Sequence, residues 1–230
     1  MNEMFINSAT IGVVLSIFAY QLGVFLKKKT NSSLLNPLLV SIVIVMAILV
    51  IFHVDYESYN SSAKYLSYLL TPATVSLAIP LYRQMETLKK NFKAIILSVL
   101  AGSITSMGVI LVMAMLFGLS HEEYVTLLPK SITTAIGMGV SEELGGYVTI
   151  TVAVIIVTGI LGNIIGETVC KVFRIKNPIS RGLALGTSAH AIGTTKAMEM
   201  GEVEGAMSSL AIVVAGLITV VGASVFAMFW

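Results

Sequence analysis

Two short stretches of this chain concentrate its chemistry. Residues 131–146, SITTAIGMGVSEELGG, place hydroxyls at Ser131, Thr133 and Thr134 and carboxylates at Glu142 and Glu143. Residues 187–202, TSAHAIGTTKAMEMGE, hold Ser188, His190, Thr194, Thr195, Lys196 and Glu199. Hydroxyls and freed amides at a helix break can hold an anion. A lysine can pair with a carboxylate, and a histidine titrates near neutral pH. These groups suit noncovalent handling of a small anion. Plainer readings stand beside each. Glu142 and Glu143 can sit in water at the end of a hairpin. Lys196 can snorkel to an interface or pair with Glu199. The hydroxyls can bond back to a carbonyl four residues earlier.

The two stretches are copies. An offset of 56 residues aligns Ala135, Ile136, Gly137, Glu143 and Gly145 with Ala191, Ile192, Gly193, Glu199 and Gly201. Each stretch precedes a long apolar run. A third copy, in layout alone, begins at Thr71. Gly137 and Gly193 hold equivalent places at the breaks and join the candidate binding set. Asn163, one turn before Glu167 on the intervening apolar run, joins as a polar group at depth, or as a helix–helix hydrogen bond. Gly159, Gly162 and Gly166 on that run let another helix approach closely.

The elements that must carry these groups are membrane helices. Of the 230 residues, 56% are hydrophobic and 11% are charged. A soluble domain carries about a quarter charged residues. Crossing a bilayer takes about 20 helical residues, and five runs reach that length: 8–26, 34–52, 94–117, 147–170 and 206–230. Three more are apolar but interrupted: 65–82, 126–146 and 180–200. The fold expected is an all-α polytopic membrane domain over residues 1–230, with two N-terminal spans before a core from 65. It has seven to eight membrane segments, two of them Gly-rich, re-entrant and related as an inverted repeat.

Charge sets the expected orientation. Most of the 14 basic residues cluster at Lys27–Lys29, at Arg83, Lys89, Lys90 and Lys93, and at Lys171, Arg174, Lys176 and Arg181. The positive-inside rule puts these loops in the cytoplasm and the N-terminus outside. Residue 120 is then outside, and run 147–170 must start outside to end at Lys171. Segment 126–146 is then expected to leave and return on the outer face, the alternative being a full crossing that would put Lys171, Arg174, Lys176 and Arg181 outside; if both segments are hairpins, 180–200 enters from the cytoplasm. Opposed, interrupted repeats mark the binding site of many transporters, because broken backbone survives at membrane depth only when buried or lining a wet cavity.

Several classes are disfavoured. The net charge of +2 argues against nucleic acid. The lone cysteine, Cys170, allows no intrachain disulfide and reads as packing. The start, MNEMFINS, lacks the basic segment of a secretory signal. His53, His121 and His190 have no metal-ligand spacing, and there is no GxxxxGK[ST] phosphate loop. No cofactor or metal is expected, and the chain does not read as an enzyme.

Four pieces of sequence resemble the LrgB/CidB family: TPATVSLAIPLYRQ at 71–84, LPKSITTAIGMGVSEELGG at 128–146, TGILGN at 158–163 and GTSAHAIGTTKAMEMGEVEGAMSSLA at 186–211. The chain departs from the family pattern at Ala135, where proline is frequent, and at Ala189, where serine is. The resemblance implies a bacterial cytoplasmic membrane protein that moves a small monocarboxylate such as pyruvate or glycolate. The plant relatives resemble plastid glycolate/glycerate translocators. It also implies a small holin-like membrane partner of the LrgA/CidA type; a homodimer is the assembly expected. The other implication is antiholin-like control of murein hydrolase activity and lysis without transport.

Overall fold

A computed structural model describes residues 8, 10–30, 35–76 and 78–230. The stretch read for a leader and the junction at 77 inside segment 65–82 lie outside these residues. All regular structure described is helical. Four helices are long and apolar enough to cross a membrane: Ile11–Thr30, Met85–Phe117, Val148–Val172 and Glu202–Phe229. The chain divides into two compact units, 1–76 and 77–230.

In the first unit, α1 (Ile11–Thr30) packs against α2 (Pro37–Ile51), followed by α3 (Tyr56–Ala63), a 3-10 turn (Lys64–Leu69) and α4 (Leu70–Ser76). Helix α2 is 15 residues, shorter than run 34–52 suggested. Its ends explain the difference. Asn36 caps the start, with its side chain accepting from the Leu38 and Leu39 amides and Pro37 at the first position. At the other end, His53 turns to φ 50°. Gly12 lets α1 meet α3: a Cβ there would lie 2.6 Å from Ser62 Oγ.

The second unit holds α5 (Ala78–Arg83), α6 (Met85–Phe117), α7 (His121–Leu127), α8 (Thr134–Glu143), α9 (Val148–Val172), α10 (Pro178–Met200) and α11 (Glu202–Phe226). Helix α6 stops at Gly118, whose left-handed φ of 62° suits glycine. Ser120 then starts α7 with a capping box: Ser120 Oγ accepts from the Glu123 amide, and Glu123 Oε2 accepts from the Ser120 amide. Beside it, backbone amides and Ser120 hold the Glu122 carboxyl below the usual carboxylate range.

Helices α7 and α8 form one helical hairpin. The chain turns through Lys130 and Ile132, whose amides donate to the Leu127 and Pro129 carbonyls. The hairpin closes on itself at its base. Tyr147 N donates to Thr126 Oγ1 at 2.7 Å, and Thr151 Oγ1 bonds both Thr126 O and Ser141 Oγ.

Helix α10 is itself a second hairpin. Its backbone leaves the helical region at Ala189 (φ −133°, ψ 16°) and His190 (φ 42°, ψ −140°). The two arms, 178–188 and 191–200, then lie side by side. A Cβ on Gly193 would come within 2.8 Å of Leu185 O. Both arms pack on α11 in opposite senses. Gly182 meets Glu204 and Gly186 meets Ser208, whereas Thr194 meets Ser208 and Met198 meets Gly205. The sequence repeat is thus a structural one. Thr133–Thr134 and Ala189–His190 are equivalent positions, and each begins an outgoing arm whose first turn is Ala-Ile-Gly.

The bases of the two hairpins lie at opposite ends of α11. Tyr124 OH donates to Phe226 O at 3.0 Å, while Arg181 pairs with Glu204 at 3.9 Å. Each hairpin has its own core. Tyr124, Val125, Leu128, Ile132 and Val140 bury against Met107, Ile110 and Ala114 of α6 and Ala223 of α11. Leu183 buries against Ile95 and Val99 of α6 and Ala206, Met207, Ala211 and Ala215 of α11.

Candidate functional site

The tips of the two hairpins face a common space. Helix α9 receives the second tip through its glycines. A Cβ at Gly162 would stand 2.2 Å from Ala189 Cβ, at Gly166 2.4 Å from Leu185 Cδ2, and at Gly159 2.8 Å from His190 Cε1. The close approach expected of these glycines is present. Gly137 does the same for the first hairpin, leaving room for Ile155 Cδ1.

His190 is buried, 3% exposed, and its Nε2–H donates to Ile155 O at 3.0 Å. A carbonyl can only accept, so the proton is on Nε2. The ring fastens the second tip to α9. Thr194 is fully buried, with its hydroxyl bonded to His190 O at 3.0 Å and to Ser208 Oγ at 2.7 Å. Asn163 Nδ2 donates to Ile192 O and to Thr195 Oγ1, both at 2.9 Å. These groups join helices α9, α10 and α11.

Lys196 lies at the base of the second hairpin. It pairs with Glu167 of α9 at 2.8 Å and with Glu199 at 3.4 Å; Lys171 reaches the same Glu167 at 2.8 Å. Arg181 borders this cluster, which surrounds a polar cavity of about 240 Å³. Glu142 and Glu143 are exposed at the C-terminal end of α8, beside the base of the first hairpin. Thr133 precedes α8 as its N-cap residue without a side-chain capping bond, and Thr134 begins the helix half-buried.

Two clefts open between the tips. One, of about 480 Å³, lies between α6 and the first arm of α10 and is lined by Ser98, Thr105, Ser106, Ser131, Thr187 and Ser188 together with Lys130. The other, of about 330 Å³, runs between α9 and the same arm from Lys130 and Thr158 to Cys170 and Ile175. Lys130, Ala184 and Ser188 line both. Ser188 is the residue nominated from sequence that stands on this shared wall; its own hydroxyl donates to Ala184 O.

Lys130 was not singled out from the sequence. Its ammonium donates to Ser131 Oγ at 2.9 Å and Ser106 Oγ at 3.2 Å, and those two hydroxyls stand 3.3 Å apart. It is half-buried and, among the described residues, makes no ion pair. One signal could have found it: a lone cation inside an apolar, proline-broken segment is costly at membrane depth and is a candidate functional group. Among the described residues, no cluster of three or more His, Cys, Asp or Glu could hold a metal ion.

The sequence pattern of the LrgB-like family matches residues 16–229. The antiholin-like protein LrgB of Bacillus subtilis (strain 168) is 42% identical over 220 residues, 95% of each chain. That of Bacillus mycoides (strain KBAB4) is 40% identical over 219 residues, again 95% of each. No solved structure matches. A chain matched along nearly its whole length, with long apolar helices and a paired set of broken segments, belongs to the LrgB-like family of membrane proteins.

Proposed function

We propose that this protein carries a small monocarboxylate, such as pyruvate or glycolate, across the bacterial cytoplasmic membrane, acting with a small holin-like partner and as a homodimer. One observation carries the reading: two helical hairpins related by a sequence repeat reach from opposite ends of α11 and present their tips to two adjoining clefts, one lined by hydroxyls and both bordered by Lys130. In this reading the hairpins are re-entrant. The first enters from outside, and the second enters from the cytoplasmic face, where Arg83, Lys171 and Arg181 gather. Non-helical backbone at the tips is then buried in protein or borders a wet cavity, as a bilayer requires. Ser188, Thr133 and Thr134 contribute hydroxyls near the tips. His190, Gly193, Thr194, Thr195 and Asn163 hold the second tip in place, and Lys196 anchors its base. The shared wall of Lys130, Ala184 and Ser188 separates two clefts, one of which runs toward the basic end. Movement of either tip would open the solute to one side at a time.

Uptake of labelled pyruvate and glycolate into proteoliposomes tests this reading, with the chain alone and with its partner. Saturable uptake is expected, and Ala184→Trp, which fills the shared wall, should abolish it in folded protein. Absence of uptake of either acid, with partner present, overturns it. A second reading draws on the printed name of the relatives, antiholin-like: a regulator of lysis that transports nothing. Under that reading, Ala184→Trp leaves lysis control unchanged.

A further inference from the structure

We infer that Lys130, with Ser106 and Ser131, is the carboxylate-binding group, and that its isolation makes the site selective for one negative charge. The inference rests on the transport reading and assigns the contact within it. Lys130 is the one charged side chain among the described residues lining the two clefts between the hairpin tips. An ammonium away from bulk water needs a counter-charge or dense hydrogen bonding. Here it has two neutral serine oxygens. The other half-buried cations of this unit are already matched: Lys196 by Glu167 and Glu199, Arg181 by Glu204. Lys130 is therefore the position where an arriving carboxylate gains a partner without breaking an existing pair.

The hydroxyls complete the cradle. Each serine oxygen accepts from the ammonium and keeps a proton to give. One proton is used between Ser106 and Ser131, 3.3 Å apart, and the other is free to donate to a carboxylate oxygen. Ser188 and Thr187 stand on the facing arm, placed for the hydroxyl or keto oxygen of a short acid. A second carboxylate would meet no cation and remain unpaired. Because Lys130 borders both clefts, the same contact is available from either side.

Glycolate, neutral glycolamide and succinate are the probes, with Lys130→Gln and Lys130→Arg as the variants. Binding is read from the melting shift of purified full-length protein in detergent, and flux is read separately in proteoliposomes. Wild type should be stabilised by glycolate and not by glycolamide or succinate. Lys130→Gln should weaken glycolate binding about ten-fold or more, as expected for a lost charge-assisted contact. Lys130→Arg should retain part of it. If Lys130→Gln folds and binds glycolate as wild type does, or if succinate binds equally well, the assignment is overturned while transport stands. If glycolate binds in a Lys130-dependent way and no acid moves, the transport reading falls and the site remains. If glycolate neither binds nor moves, both fall.

Discussion

The two hairpins share one repeated motif and differ in charge and packing. The first carries a cation at its tip, Lys130, and leaves Glu142 and Glu143 exposed near its base. The second has a buried tip at Ala189 and His190, and concentrates its ion pairs at the base, with Glu167 and Glu204. It is also packed more tightly. Gly182, Gly186 and Gly193 all face backbone or Cβ atoms within 3 Å of where a Cβ would go, whereas in the first hairpin Gly137 is approached that closely only by the movable end of the Ile155 side chain and Gly139 faces open space. In the proposed reading, the contrast separates an arm that contacts the solute from an arm that is wedged and stapled into the bundle.

The sharpest way to break this contrast is one substitution made in both hairpins. Gly186→Ala would place a Cβ 2.4 Å from Ser208 O, and backbone cannot move aside cheaply. It should cost about 3 kcal/mol, seen as a large fall in thermal midpoint in detergent. Gly139→Ala should instead stabilise by about 0.5–1 kcal/mol, because a helical glycine gains rigidity without a clash. Equal effects would remove the distinction in packing.

A smaller effect tests the staple. His190→Ala removes the donor to Ile155 O and should cost about 2 kcal/mol. Thr134→Ala, at the equivalent repeat position, should stay within about 0.5 kcal/mol. Protease sensitivity of arm 191–200 should rise in the first variant alone.

The smallest effect concerns the bases. Glu167→Gln loses pairs to Lys171 and Lys196. Glu167 is about a third exposed, so screening limits the loss to about 1 kcal/mol. The loss should shrink as salt is raised. Glu143→Gln, exposed at the first base, should change nothing measurable. A large loss from it would put a functional carboxylate at that base.

Much of this arrangement was readable before any coordinates. The interrupted segments followed from glycine, proline and polar residues inside apolar runs. The expectation that 126–146 returns to the side it left came from balancing the basic loops around it, and Thr126 contacts Tyr147 across the base of the first hairpin. The glycines of α9 told of close approach without saying to what. The site was harder. Glu142 and Glu143 stood out as charges in a polar run, but pattern alone cannot give distance from a tip, and they lie near the base. Lys130 hid beside Pro129, where it read as part of the break. Its partner Ser106 sits on another helix, 24 residues earlier, and no periodicity links the two. The length of α2 was misjudged because hydropathy does not see a cap at Asn36.

Both hairpin cores borrow residues from α11, Ala206 to Ala215 in one and Ala223 in the other. This has a consequence for biogenesis. Neither hairpin can complete its core until the last helix has been synthesised and delivered into the bilayer. Two polar, broken segments must therefore be sheltered by the insertion machinery while the ribosome finishes the chain. Consolidation then comes late and all at once. A chain truncated after Met200 and released should leave both hairpins open to quality-control proteases, although every residue that forms their tips is present.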